Sequence, residues 1–230
     1  MKALILAGGF GKRLRPLTEE VPKPLIPIAG RPILEYQIEW LSRNGVSEVV
    51  LCVGYLWEKI KQRLGREWKG IKIEYSVEEE PLGTGGALKA AREHVMDAEL
   101  FIALNGDVIT NLEVKPLVSE ARGVLGAIAM VQLRSPYGIV LVNSESRVLR
   151  FIEKPILRDY WINAGVYCLK PEALDYMPER GDLEKTAFPK LAEEGKLKAV
   201  KYTGVYWRSI DTYKDLEEAS RDMREGRYRL

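Results

Sequence analysis

Between Leu6 and Leu25 the chain reads LAGGFGKRLRPLTEEVPKPL, a stretch with three glycines, two arginines, two lysines and three prolines. It comes directly after the apolar run Ala3-Leu4-Ile5-Leu6. Gly8, Gly9 and Gly11 permit positive φ and let backbone N–H groups come close to a ligand. Arg13 offers a planar fork of donors that fits phosphate oxygens, and Lys23 a compact point charge. Pro16, Pro22, Pro24 and Pro27 predict a stiff, extended loop that holds both charges at fixed positions. That combination suits a polyphosphate ligand; a tight turn with solvated charges is the bland alternative. Two familiar phosphate loops do not fit. With Gly11-Lys12 as the GK pair, a P-loop needs glycine at position 6 and Ser or Thr at position 13, where Leu6 and Arg13 stand. A dinucleotide fingerprint beginning at Gly9 and Gly11 meets Leu14 in place of its third glycine.

A second candidate is Asp107, which ends the run Leu100-Phe101-Ile102-Ala103-Leu104-Asn105-Gly106. A carboxylate at the carboxyl end of a buried strand lies where open α/β sheets bind ligands. Magnesium typically takes one or two carboxylates together with substrate phosphates, so Asp107 is a natural first ligand; capping its own turn is the alternative. The lone histidine, His94, is expected on the surface of a helix, which leaves histidine-based zinc or triad chemistry without support.

These side chains need a frame. The apolar segments Ala3–Leu6, Glu48–Val53, Ile71–Val77 and Leu100–Leu104 read as strands. Helical spacing at Ile33-Leu34-Ile38-Leu41, at Lys59–Leu64 and at Leu88-Ala91-Val95 falls between them. Strand–helix alternation with short connections predicts a Rossmann-like, three-layer α/β/α fold around a mostly parallel, mixed sheet. The second half is strand-rich, with strands expected at Leu125–Leu133, Gly138–Val142, Val148–Ile152 and Ala164–Leu169. Helices are expected at Pro171–Met177, Glu184–Glu194 and Asp211–Glu225. The expectation is one domain over residues 1–230, in two halves at about 1–112 and about 113–230.

Composition bounds the partners. The chain carries 35 basic and 33 acidic residues, a net charge of +2, and is 46% hydrophobic. Nothing global favours nucleic acid or membrane, so any electrostatic function is local. Cys52 and Cys168 sit in apolar strand-like segments and read as buried free thiols, and with no leader or spanning run in view the expected compartment is the cytoplasm.

The motif LAGGFGKRLRPLT…PKPL resembles the signature of the sugar-1-phosphate nucleotidyltransferases, or NDP-sugar pyrophosphorylases. The resemblance continues in order through EEEPLGTGGAL, LNGDV, YGIV, FIEKP, INAGVY and SIDT, and so covers nearly the whole chain. It implies transfer of a nucleotidyl group from a nucleoside triphosphate to a sugar 1-phosphate, with release of pyrophosphate and with Mg²⁺ as cofactor. The backbone of Leu6, Ala7, Gly8 and Gly9 would line the nucleotide, and Gly11, Lys12 and Arg13 would wrap the triphosphate. Position 12 departs from the family, which usually has threonine there. Arg13 would hold the departing phosphates, and Lys23 would neutralise the α-phosphate.

The same resemblance makes Asp211 the second metal ligand beside Asp107, with an N-cap of the last helix as its alternative role. It makes Glu78, Pro81, Gly83 and Thr84 part of a base-recognition loop; Glu78 would either accept from guanine or be a solvated strand end. Gly138, Glu153, Lys154 and Asn163 would bind the sugar phosphate. The blocks are most similar to the mannose-1-phosphate guanylyltransferase branch, which implies GTP. Thymidylyl or uridylyl transfer to glucose 1-phosphate, and a catalytically silent nucleotide-sugar sensor, are the alternatives. No hexapeptide-repeat β-helix is expected within these residues, and a homo-oligomeric state is left open.

Overall fold

The computed structural model describes all 230 residues. Its strands are β1 (Lys2–Leu6), β2 (Pro27–Ile28), β3 (Arg31–Pro32), β4 (Glu48–Val53), β5 (Glu67–Trp68), β6 (Ile71–Val77) and β7 (Phe101–Asn105). They continue with β8 (Val108–Thr110), β9 (Gly126–Arg134), β10 (Ile139–Val142), β11 (Val148–Ile152), β12 (Ile156–Leu169), β13 (Leu197–Tyr202) and β14 (Trp207–Ser209). The α-helices are α1 (Leu17–Glu20), α2 (Ile33–Arg43), α3 (Trp57–Leu64), α4 (Gly83–Ala90), α5 (Lys115–Ala121), α6 (Ala187–Glu193) and α7 (Tyr213–Arg224).

Eight strands form one sheet in the order β13-β9-β12-β7-β1-β4-β6-β5. β1 runs parallel to β4 and β7, β4 to β6, and β13 to β9, while β12 is antiparallel to both its neighbours. The sheet is therefore mixed and mostly parallel, as expected, and it draws strands from both halves of the chain. Alternate residues of β1 serve opposite faces: Ala3 and Ile5 join the core under α2 and α5, and Leu4 joins the core under α4 and α6. Helices thus cover both faces of a sheet whose central strands are buried on both sides.

Several elements differ from the sequence-based expectation. The proline-rich stretch after the glycine turn is not extended: it holds 3₁₀ turns at Lys12–Leu14 and Lys23–Leu25 with α1 between them. Pro16 caps α1 and Pro24 lies inside the second turn, because proline at the start of a helical turn loses no hydrogen bond and already has the right φ. β13 escapes sequence reading because it is an edge strand with exposed lysines, Lys198 and Lys201. β12 begins eight residues before the expected Ala164, in a segment too exposed to read as an apolar run. Pro171–Tyr176 is 3₁₀ rather than α, and α6 starts at Ala187, which leaves Glu184 in the preceding turn. His94 is half-buried in a 3₁₀ turn, with Nδ1 2.7 Å from Glu74 Oε2, rather than free on a helix surface. Both cysteines are buried and free, and burial pushes each thiol up to about 12, so neither is reactive. No helix is long and apolar enough to cross a membrane.

Candidate active site

The carboxyl ends of β1 and β7 lie side by side, with Leu6 registered against Asn105. The turn after β7 closes onto the end of β1 through Gly106, whose N–H donates to the Leu6 carbonyl at 2.9 Å. A Cβ at Gly106 would stand 2.2 Å from that oxygen, so only glycine allows the approach. Asp107 is thereby delivered beside the glycine turn.

Asp211 reaches the same place by a different route. β14 pairs antiparallel with β8, with Ser209 opposite Val108, and the Ile210 N–H donates to the Asp107 carbonyl at 2.8 Å. Asp211 is not the cap of α7. Thr212 is the N-cap, closing a capping box with Asp215, and Asp215 Oδ2 also accepts the Asp211 N–H at 3.1 Å. The Asp211 side chain is free to face the cleft.

Lys23 joins the two carboxylates. Its Nζ lies 2.7 Å from Asp107 Oδ2 and 3.0 Å from Asp211 Oδ1, and its side chain is only 14% exposed. Arg13 Nη2 meets the same Asp211 oxygen at 2.7 Å from a side chain that is 70% exposed. Burial by itself would push the Asp211 carboxyl up, but Lys23, the Ser209 hydroxyl and Arg13 together hold it below its ordinary value. Lys12 sits with Nζ 5.8 Å above the Phe10 ring.

These groups line one cleft of about 280 Å³, walled by Leu6, Ala7, Gly9, Gly11, Lys12, Arg13, Lys23, Thr84, Asp107 and Asp211, together with Pro24, Asn105 and Gly106. Gly9 faces open space, and Gly11 takes φ +59 with its carbonyl accepting from the Thr18 hydroxyl at 3.0 Å. Most of the candidates from the first half thus converge. No group of three or more His, Cys, Asp or Glu side chains is arranged so that it could hold a metal ion. A fully protein-caged metal does not fit. A pair of carboxylates close enough to share one ammonium does fit a cation that takes its remaining ligands from phosphate and water.

Other candidates stand outside this lining. The Gly8 face is filled by Glu78, whose Oε1 would lie 2.2 Å from a Cβ there. Glu78 also packs on Gly54, and its Oε2 accepts the Leu82 N–H at 3.2 Å. It is half-buried, so it is not a solvated strand end. Burial raises its carboxyl above the ordinary range, against the lowering effect of the Leu82 N–H. Gly83, at φ +75, has no room for a Cβ because the Gly181 backbone would be 2.7 Å away. Gly85 and Gly86 are equally closed off, by Pro178 and by the Glu179 carbonyl. Gly83, Gly85 and Gly86, at the start of α4, make room for the loop at 178–183, which sequence reading did not pair with them.

In the second half, the clearance at Gly138 is taken by the Phe151 ring, 2.6 Å from an added Cβ, and by Glu153. Glu153 is 63% exposed and meets Lys154 at 3.5 Å. Both sit at the foot of the β10–β11 hairpin, away from the cleft lining. Asn163 donates to the Tyr167 hydroxyl at 2.8 Å and accepts the Gly165 N–H at 2.9 Å. Among residues that sequence reading passed over, Asn105 and Gly106 were visible inside LNGDV and Tyr167 closes INAGVY, whereas nothing local marks Glu184.

Fold and cleft together define a three-layer α/β/α protein that gathers lysine, arginine and two carboxylates at the carboxyl ends of its parallel strands. Residues 2–226 match the nucleotidyl transferase family, and the chain belongs to it. It is 41% identical over 225 residues to the mannose-1-phosphate guanyltransferase beta-B of Xenopus laevis, and 42% identical over 225 residues to the mannose-1-phosphate guanylyltransferase catalytic subunit beta of Danio rerio. Each match covers 94% of this chain and 62% of the relative, so the chain spans about three-fifths of their length. Among solved structures it resembles HddC from Yersinia pseudotuberculosis, with TM-score 0.76 and 29% identity over 96% of this chain and 99% of that one. HddC has also been solved complexed with GMP-PN; that structure matches at TM-score 0.73 and 28% identity, with the same coverage.

Proposed function

We propose that the chain transfers the guanylyl group of GTP to mannose 1-phosphate and releases pyrophosphate, in a magnesium-dependent reaction. The observation that carries this reading is the joining of Asp107 and Asp211 by Lys23 beside the glycine turn. An oxygen of the sugar phosphate attacks the α-phosphorus as the bond from that phosphorus to the β-phosphate oxygen breaks. The nucleophile is already an anion, so the site needs charge neutralisation and alignment rather than a general base.

Asp107 and Asp211 would hold Mg²⁺, which when bound supplies neutralisation of developing phosphate charge. Lys23, short of solvent and close to both carboxylates, neutralises the α-phosphate and lets two anions approach. Arg13, on an exposed and adaptable side chain, holds the departing β- and γ-phosphates. Gly9 leaves open space for the triphosphate to approach the backbone, and Gly11, at φ +59, makes the turn against Thr18 that shapes the loop. Glu78 braces Leu82, the N-cap of α4, and so shapes the segment that meets the base, while Thr84 enters the cleft from the first turn of α4. Glu153, Lys154 and Asn163 take the sugar phosphate.

GTP and mannose 1-phosphate are favoured by the names of the relatives at 41–42% identity and by the GMP-PN complex of HddC. The test is pyrophosphate release from GTP, ATP, UTP and dTTP, each with mannose 1-phosphate and glucose 1-phosphate. The expected result is the highest kcat/KM for GTP with mannose 1-phosphate. Preference for dTTP or UTP with glucose 1-phosphate would overturn base and sugar but keep the reaction. No release from any pair would point to a silent sensor.

A further inference from the structure

The loop at 178–184 ties the nucleotide side to the sugar side. The Gly181 N–H donates to the Leu82 carbonyl at 2.7 Å, and the Gly181 carbonyl accepts from Gly85 and Gly86 at 2.9 and 3.3 Å. Arg180 pairs with Glu80, and Lys89 meets Glu179 at 2.7 Å. Nearer the cleft, the Leu183 N–H donates to Thr84 Oγ1 at 2.9 Å, and the Thr84 hydroxyl donates to Glu184 Oε2 at 2.7 Å. The other carboxylate oxygen, Oε1, accepts from the Tyr167 hydroxyl at 3.5 Å, and that hydroxyl oxygen accepts from Asn163 Nδ2 at 2.8 Å.

A carboxylate only accepts, so Thr84 is the donor in its 2.7 Å bond to Glu184 and Tyr167 the donor in its long, 3.5 Å contact. Tyr167 then offers a lone pair to Asn163, whose amide is oriented with Nδ2 toward the phenol and Oδ1 toward the Gly165 N–H. Burial holds the Tyr167 phenol well above its ordinary value, so it stays a neutral donor. Its ring is fully buried and packs edge-on against Phe188 at 4.9 Å, which makes the hydroxyl a fixed point. Glu184 itself is exposed and contributes nothing to the core.

We propose that Glu184 and Tyr167 are positioning residues that couple the two substrates. Glu184 clamps Thr84 on the nucleotide side and, through Tyr167, orients Asn163 on the sugar side. This rests on the roles given to Thr84 and Asn163 above. Ordering of one substrate's residue then lowers the cost of ordering the other's, which makes the two bindings synergistic and reciprocal.

The test is calorimetric binding of mannose 1-phosphate to the whole chain in EDTA, which prevents turnover, with and without saturating GTP. The expected wild-type synergy is about tenfold. Tyr167→Phe, which keeps the buried ring, and Glu184→Ala, at an exposed position, should both bring the ratio close to one with little change in melting temperature. Glu184→Gln should restore most of the synergy, because its amide can still accept from Tyr167 and donate to Thr84. No synergy in wild type, or unchanged synergy in Glu184→Ala, overturns the proposal. Thr84→Ala and Asn163→Ala separate the two levels. If each weakens its own substrate while Glu184→Ala leaves the ratio intact, the coupling alone is wrong. If neither weakens binding, the assignment of those two residues is wrong, and the coupling with it.

Discussion

The cleft at the ends of β1 and β7 and the hairpin β10–β11 are built on opposite plans. In the cleft, each charged group is delivered by a paired strand or a short turn, and the carboxylates of Asp107 and Asp211 both end within 3.0 Å of Lys23 Nζ. In the hairpin, the strands pair only with each other, and their apolar side chains stay in water: Leu149 is 68% and Phe151 63% exposed. A two-stranded ribbon without a packed face is marginal by itself. The difference teaches where the site is preorganised. The cleft proposed for the triphosphate is set by backbone register, whereas Glu153 and Lys154 ride on an element that its own packing scarcely restrains.

That contrast orders the expected effects. Lys23→Ala and Arg13→Ala should each lower kcat by ~100-fold or more, the scale of removing a preorganised electrostatic group. Near-normal turnover in both folded variants would remove the distinction between the two regions. Glu153→Gln should act on the sugar alone, raising KM for mannose 1-phosphate by about tenfold and leaving KM for GTP and kcat within about twofold. A change confined to the GTP KM would place Glu153 on the wrong side of the comparison.

The smallest effect belongs to Glu78, and it concerns stability. Its carboxyl is raised in the folded protein, so the folded state binds more protons than the unfolded chain between the two values. Its contribution therefore favours folding at low pH and is lost as pH rises through the folded-state value. Glu78→Gln lacks that loss. Its melting temperature relative to wild type should be higher at about pH 8 than at about pH 4. An equal difference at both would mean that the carboxylate is as well solvated as in the unfolded chain.

Much of the cleft was legible because buried parallel strands leave continuous apolar runs, and the residues just past the end of such a run stand at a ligand-binding edge. Ala3–Leu6 with its glycine turn and Leu100–Leu104 with Asp107 are of that kind. Asp211 was different: its strand, β14, is three half-buried residues with no pattern of its own, and only the family resemblance singled it out. Gly83, Gly85 and Gly86 show a further limit. Glycine there permits close backbone approach but does not say to what, and the neighbour proved to be the loop at 178–183. Glu184 fell within an expected helix and carries no local signal, because its partners are 100 and 17 residues away.

The joining of Asp107 and Asp211 at one cation position is tested most directly by magnesium titration of pyrophosphate release in wild type, Asp107→Asn and Asp211→Asn. Each substitution keeps the side chain's size and removes one charge from the pair. Both variants should lose activity or need at least ~10-fold more magnesium, with melting temperatures near that of wild type. If Asp211→Asn changed only the melting temperature and kept the wild-type magnesium curve, Asp211 would be a structural partner of Lys23 and Arg13, and the two-carboxylate site would be contradicted.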